Sequence, residues 1–108
     1  MTFFSNTVRM RPATYYVLVV LLRGSAHGYG IRAQIRGLTD GYVDLRPSTL
    51  YGTLGRLDSE GLIRKQDLAS AAGPARQNYQ ITPRGRATLR DEADRLACAL
   101  EAWRRASA

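Results

Sequence analysis

Arg46-Pro47-Ser48-Thr49-Leu50-Tyr51-Gly52-Thr53-Leu54-Gly55-Arg56-Leu57-Asp58-Ser59-Glu60-Gly61-Leu62-Ile63 reads as a short helix with a defined start and stop. Pro47 suits the first helical position, where its missing N–H would have had no partner. Gly61 suits the position just past the end, where a left-handed backbone strains glycine little. Leu50, Leu54 and Leu57 recur at i, i+4 and i+7 and form one apolar stripe. Ser48, Thr49, Gly52, Thr53 and Arg56 lie off that stripe, and none of them is acidic. A helix held by its apolar side can place such an outer face in a DNA major groove.

Downstream of Gly61 the period changes to two. Leu62 to Asp67 and Arg76 to Ile81 read as two strands, joined through Leu68 to Ala75 with Gly73-Pro74 as the turn signal. Upstream, Pro12 opens a helix whose residues Tyr15 and Val17 to Leu22 are almost wholly apolar. A helix apolar all round must be covered on several sides, which predicts a second subunit over it. Gly24-Ser25-Ala26 reads as a turn. The next helix starts at His27 or Gly28, carries Tyr29, Ile31, Ile35 and Leu38, and ends at Thr39-Asp40-Gly41. Tyr42 to Leu45 reads as a short strand. Thr82 caps a final helix with Pro83 at its first position. There Leu89, Ala93, Leu96, Leu100 and Trp103 form a heptad seam suited to pairing with another helix.

The predicted fold is mainly α (α+β): a winged helix-turn-helix with a two-stranded wing and a long C-terminal dimerisation helix. Residues 1–11 form an arm, 12–82 the winged domain and 83–108 the dimerisation helix.

The chain has 108 residues, a net charge of +7 and a pI near 10.3. Lys65 is its only lysine; every other basic residue is arginine. Arginine offers a rigid fork of donors to phosphate and base edges, so the balance favours a polyanionic partner. Cys98 is alone, which excludes a disulfide framework and a cysteine metal cluster. The apolar run from Tyr15 to Leu22 is too short to span a bilayer, and the chain is expected in the cytoplasm. His27, the sole histidine, has no nucleophile or carboxylate arranged with it. With no Ser/His/Asp set, metal cluster or phosphate loop, the sequence predicts neither an enzyme nor a cofactor or metal.

The ordered set of motifs resembles the PadR family of bacterial transcriptional regulators. The resemblance rests on His27-Gly28-Tyr29, on Ser48-Thr49-Leu50-Tyr51 with Leu54, Arg56 and Leu57, and on Glu60-Gly61-Leu62-Ile63. It continues through Gly73-Pro74 and Arg76 to Tyr79, Ile81, Thr82 and Arg84-Gly85. A single C-terminal helix is similar to the short subfamily, whose members dimerise through it. Two features depart from the family pattern. The wing carries Ala75, Gln77 and Asn78 where basic and aromatic residues are usual, and Gly52 and Gly55 stand in the third helix in place of better helix formers.

The expected partner is double-stranded DNA, contacted through Ser48, Thr49, Tyr51, Gly52, Thr53, Arg56, Arg64, Lys65 and Arg76. Tyr51 and one hydroxyl are expected on the DNA backbone, or Tyr51 packs over the core with its hydroxyl in water. Thr53 and Arg56 are expected at base edges, and Arg64, Lys65 and Arg76 at phosphates or a minor groove. Leu89, Ala93, Leu96, Leu100 and Trp103 are the expected homodimer interface. The resemblance also implies a cleft for a small aromatic ligand, built from Tyr15, Tyr16, Leu100 and Trp103, or an interface anchor with no pocket. The function expected is a repressor that binds an inverted-repeat operator as a homodimer. The alternatives are a drug-binding or protein-interaction module with little operator specificity, and a non-specific nucleic-acid binder.

Overall fold

Pro12, Pro47 and Pro83 each begin a helix, and each helix starts where the proline ring fixes φ without removing a needed donor. The computed structural model describes residues 10–66 and 77–108. Its elements run α1 (Pro12–Arg23), β1 (Ala26–His27), α2 (Gly28–Leu38), α3 (Pro47–Ser59), β2 (Ile63–Gln66), β3 (Asn78–Ile81) and α4 (Pro83–Ser107). The strands form one antiparallel sheet in the order β1-β3-β2. This is a winged helix-turn-helix with a long C-terminal helix.

The short strand lies elsewhere than expected. It is Ala26–His27, the last residue read as a turn and the first read as a helix start, and it pairs with Tyr79 and Asn78 of β3. Residues 42–45, read as that strand, form a loop. Their polar groups are engaged locally: the Thr39 hydroxyl accepts from the Val43 N–H at 3.0 Å and donates to the Ile35 carbonyl at 2.9 Å. Asp40 and Gly41 reverse the chain with positive φ. Arg32 then grips Asp44 through two hydrogen bonds, of 2.9 and 3.3 Å, and holds the Asp44 carboxyl below its ordinary pKa. The wing strands are shorter than their expected ranges, and the predicted turn, Leu68 to Ala75, lies outside the described residues.

α1 is the centre of the core. Val17, Leu18, Val20 and Leu21 are fully buried, and α2, α3, α4 and β3 of the same chain pack around them. One side of this helix is thus covered from within the protomer, while Tyr15, Tyr16 and Val19 are only partly buried and Leu22 is 47% exposed. α2 contributes Ile31 and Ile35, and α3 contributes Leu50, Leu54 and Leu57. Tyr29 does not join its predicted stripe and is 77% exposed. Residues two apart on a helix point to nearly opposite sides, so Tyr29 cannot share a face with Ile31.

The joint between the wing and α4 is tight. The Thr82 hydroxyl accepts from the Gly85 N–H at 3.0 Å, capping α4, and donates to the Gly61 carbonyl at 2.7 Å. Leu89 is buried in the protomer core, which corrects its place in the dimer seam. Gly85, Leu89 and Glu92 are the inward line of α4, and Arg95 pairs with the Glu92 carboxylate at 3.3 Å.

Candidate nucleic-acid interface

At 3.6 residues per turn, α3 divides into an inner face, an outer ridge and two flanks. The inner face is Leu50, Thr53, Leu54 and Leu57, all buried. Thr53 is only 5% exposed, which removes it from the base-reading surface. It stands three residues after Leu50 and four before Leu57, so the helical period places it with them despite its hydroxyl. The outer ridge is Ser48, Gly52, Gly55 and Ser59, all exposed. Nothing lies within 4 Å of where a Cβ would stand on Gly52 or Gly55. Gly55 and Ser59 were missed by the sequence reading, although their spacing from Ser48 and Gly52 would have found them.

One flank faces α2 and the sheet. Tyr51 lies against Gly28 at the start of α2; a Cβ there would fall 2.7 Å from its Cε1 and 2.9 Å from its phenol oxygen. Gly28 is thus the seat of the Tyr51 ring, while the rest of that side chain remains open to solvent. Beneath this flank, burial pushes the Tyr79 phenol pKa up, and the nearby Tyr51 and Asp58 add to the shift. Gly28→Ala should therefore displace the ring at little cost to the fold, because a phenol end can rotate away. The expected result is a melting free energy within about 1 kcal/mol of the parent. Duplex affinity should fall as far as in Tyr51→Leu, and the double variant should bind no worse than Tyr51→Leu alone. Thermal melts and anisotropy titrations measure both.

The other flank faces α1. Arg56 is exposed, but its Nη2 donates to the Thr14 hydroxyl at 2.5 Å, and Thr14 is buried on α1. The guanidinium therefore lies along the flank and not on the ridge where a base reader was expected. Thr49 is exposed near the start of the same flank. On β2, Arg64 and Lys65 are both exposed. Successive strand residues point to opposite faces, so the two do not present one cationic surface. Arg76 lies outside the described residues.

The remaining expected residues sit away from α3. Leu96, Leu100 and Trp103 are 44%, 48% and 66% exposed on the second half of α4, and Ala93 is half-buried. Tyr15 and Tyr16 are partly buried on α1 and pack edge to face, with ring centroids 5.4 Å apart. Among the described residues, Trp103 makes no ring contact with either tyrosine. His27 is the residue before α2 and contributes its backbone to the β1–β3 pairing, without a side-chain cap. Cys98 is exposed. Among the described residues no His/Cys/Asp/Glu group is placed to hold a metal ion, and no helix is long and apolar enough to cross a membrane.

The family model for the transcriptional regulator PadR-like family matches residues 17–91, a span that includes α3, its seat on Gly28 and the wing. The chain belongs to the PadR-like family of transcriptional regulators. Members of this family are regulators, not enzymes. The PadR-like chain is similar to the structure of a transcriptional regulator from Clostridium thermocellum, with a TM-score of 0.74 and 25% identity over 86% of this chain and 87% of that one. It is similar to Bacillus subtilis PadR solved in complex with operator DNA, with a TM-score of 0.65 and 25% identity over 75% of this chain and 46% of that one. An uncharacterized 37.1 kDa protein in transposon Tn4556 of Streptomyces fradiae is 34% identical over 90 residues. That match takes in 83% of this chain but only 24% of the Streptomyces protein's length.

Proposed function

We propose that this PadR-like chain is a repressor that binds double-stranded DNA as a homodimer on an inverted-repeat operator. The observation that carries this reading is the outer ridge of α3. Its inner face is fixed by the core, and its outer line offers only hydroxyls and open glycine backbone, flanked by Tyr51 and Arg56. Such a surface suits close approach to base edges, with the flanks on the bordering phosphates. The relative solved with operator DNA supports the choice of partner.

The dimer is supported by α4. Leu96, Leu100 and Trp103 follow the inward line of Gly85, Leu89 and Glu92 past the point where the protomer covers it. Burial of such side chains contributes roughly 1.5–3 kcal/mol each, and a second α4 supplies matching surface. Two heads joined this way would engage half-sites about one helical turn apart. A flat aromatic effector would enter beside Leu100 and Trp103, with Tyr15 and Tyr16 supplied across the dimer, and would act through unequal affinity for two head spacings.

The test is a titration of the purified protein against a palindrome selected from a random duplex library, and against its scrambled form, with sedimentation at the same concentration. A dimer that prefers the palindrome by about 1000-fold or more is the expected result. Equal affinity for both duplexes would make it a non-specific binder. Absent duplex binding, with Trp103 fluorescence quenched by aromatic compounds, would make it a ligand-binding module. Lone protomers at working concentration would overturn the two-headed mechanism.

A further inference from the structure

Arg56 leaves the ridge of α3 and crosses to α1, where it meets the buried Thr14 hydroxyl. Arg11, the N-cap of α1, stands one turn before Thr14 and is exposed. Arg11 thus lies one turn from the residue that Arg56 bonds, where the first turn of α1 meets the second half of α3. Neither arginine forms an ion pair among the described residues. The first turn of α1 contains no acidic side chain, and Glu60, one turn after Arg56, closes no pair with it. The bond to Thr14 occupies one Nη2 donor of a five-donor fork, on a side chain that is exposed overall. Two uncompensated guanidinium groups on the border of a helix that enters a groove match the oxygens of a phosphodiester.

We propose that Arg11 and Arg56 clamp a backbone phosphate at the edge of the major groove. Arg56 is then a positioning contact held in place by Thr14, and Arg11 is a DNA contact that lies outside the recognition helix. The clamp rests on the DNA-binding reading above and adds a site to it. Its contribution is independent of sequence, because a phosphate carries no base identity.

The experiment titrates Arg11→Ala, Arg56→Ala and Thr14→Val by fluorescence anisotropy at several salt concentrations. The probes are the selected palindrome, its single-base variants and a scrambled duplex, and circular dichroism melts confirm folding. Arg11→Ala removes only an exposed side chain and so keeps the test valid if Arg56→Ala loosens α3. Each arginine variant should weaken palindrome and scrambled duplex alike, by about tenfold. The Arg11→Ala/Arg56→Ala double variant, which frees that one phosphate, should also lower the salt slope by about 0.9 per bound protomer. The ranking of single-base variants should not change. Thr14→Val, which keeps the shape and removes the acceptor, should weaken both duplexes by one smaller common factor. If Arg56→Ala flattens preference at a single base pair, Arg56 reads a base and the clamp is wrong. An unchanged salt slope in the Arg11→Ala/Arg56→Ala double variant also overturns it. A parent protein that binds no duplex refutes the DNA reading together with the clamp, whereas a parent that binds while both arginine variants match it refutes the clamp alone.

Discussion

Gly85→Ala should lower the melting temperature by about 15 °C or more, the largest stability loss expected of a methyl added at any described glycine. A Cβ at position 85 would overlap the Leu62 carbonyl oxygen and stand 2.8 Å from Ile81 Cγ1. That carbonyl cannot step aside. It accepts from the Thr82 N–H at 3.1 Å, while the Leu62 N–H donates to the Leu57 carbonyl at the end of α3. The first turn of α4 would have to lift away instead, which breaks the Thr82 cap and draws Leu89 out of the core. Overpacking typically costs about 1–3 kcal/mol and a lost cap about 1 kcal/mol. Their sum is a large share of the roughly 5–15 kcal/mol that holds a small domain together. Gly37→Ala is the control, since Gly37 lies in a helix with nothing within 4 Å of its would-be Cβ; it should melt at or above the parent temperature. A parent-like melt for Gly85→Ala would show that α4 is not fixed to the wing through Thr82.

Position 85 also shows which features the sequence announces. Thr82-Pro83 marked the start of α4, as Pro12 and Pro47 marked α1 and α3, because caps and proline act within one turn of themselves. The leucine stripe of α3 was legible for the same reason: periodicity is local. What was hidden depends on distant partners. β1 is two residues long and has no period of its own; it is a strand only because β3, some fifty residues later, pairs with it. Arg56 looked like a base reader until Thr14, 42 residues earlier, turned its guanidinium sideways. Leu89 and Leu96 belong to one heptad pattern, yet the body of the protomer ends between them, so one is core and the other is surface. Thr53 was misplaced for a different reason: its hydroxyl was weighed above its position in the helical period, although the period decides which way a side chain points. The same period, applied without regard to polarity, identifies Ser48, Gly52, Gly55 and Ser59 as the ridge.

That ridge leads to an opposed pair of effects. The double variant Gly52→Ala/Gly55→Ala should be more stable than the parent and a poorer reader of DNA. Glycine inside a helix costs roughly 0.5–1 kcal/mol relative to alanine, and both sites open onto empty space, so the added methyl groups meet nothing in the free protein. A gain of about 1–2 kcal/mol in the thermal melt follows. No inner packing requires glycine at these two positions, so any advantage of its small size must lie at the outer surface. There, two absent side chains let the helix backbone sit deeper in a groove. Palindrome affinity should fall at least about tenfold, since even one mismatched base contact is worth about 1–3 kcal/mol. Scrambled duplex, held through phosphates alone, should change by less than about threefold. An equal loss on both duplexes would place the ridge against the DNA backbone instead of the bases. A stabilised variant that binds the palindrome as tightly as the parent would mean that this face of α3 does not enter the groove.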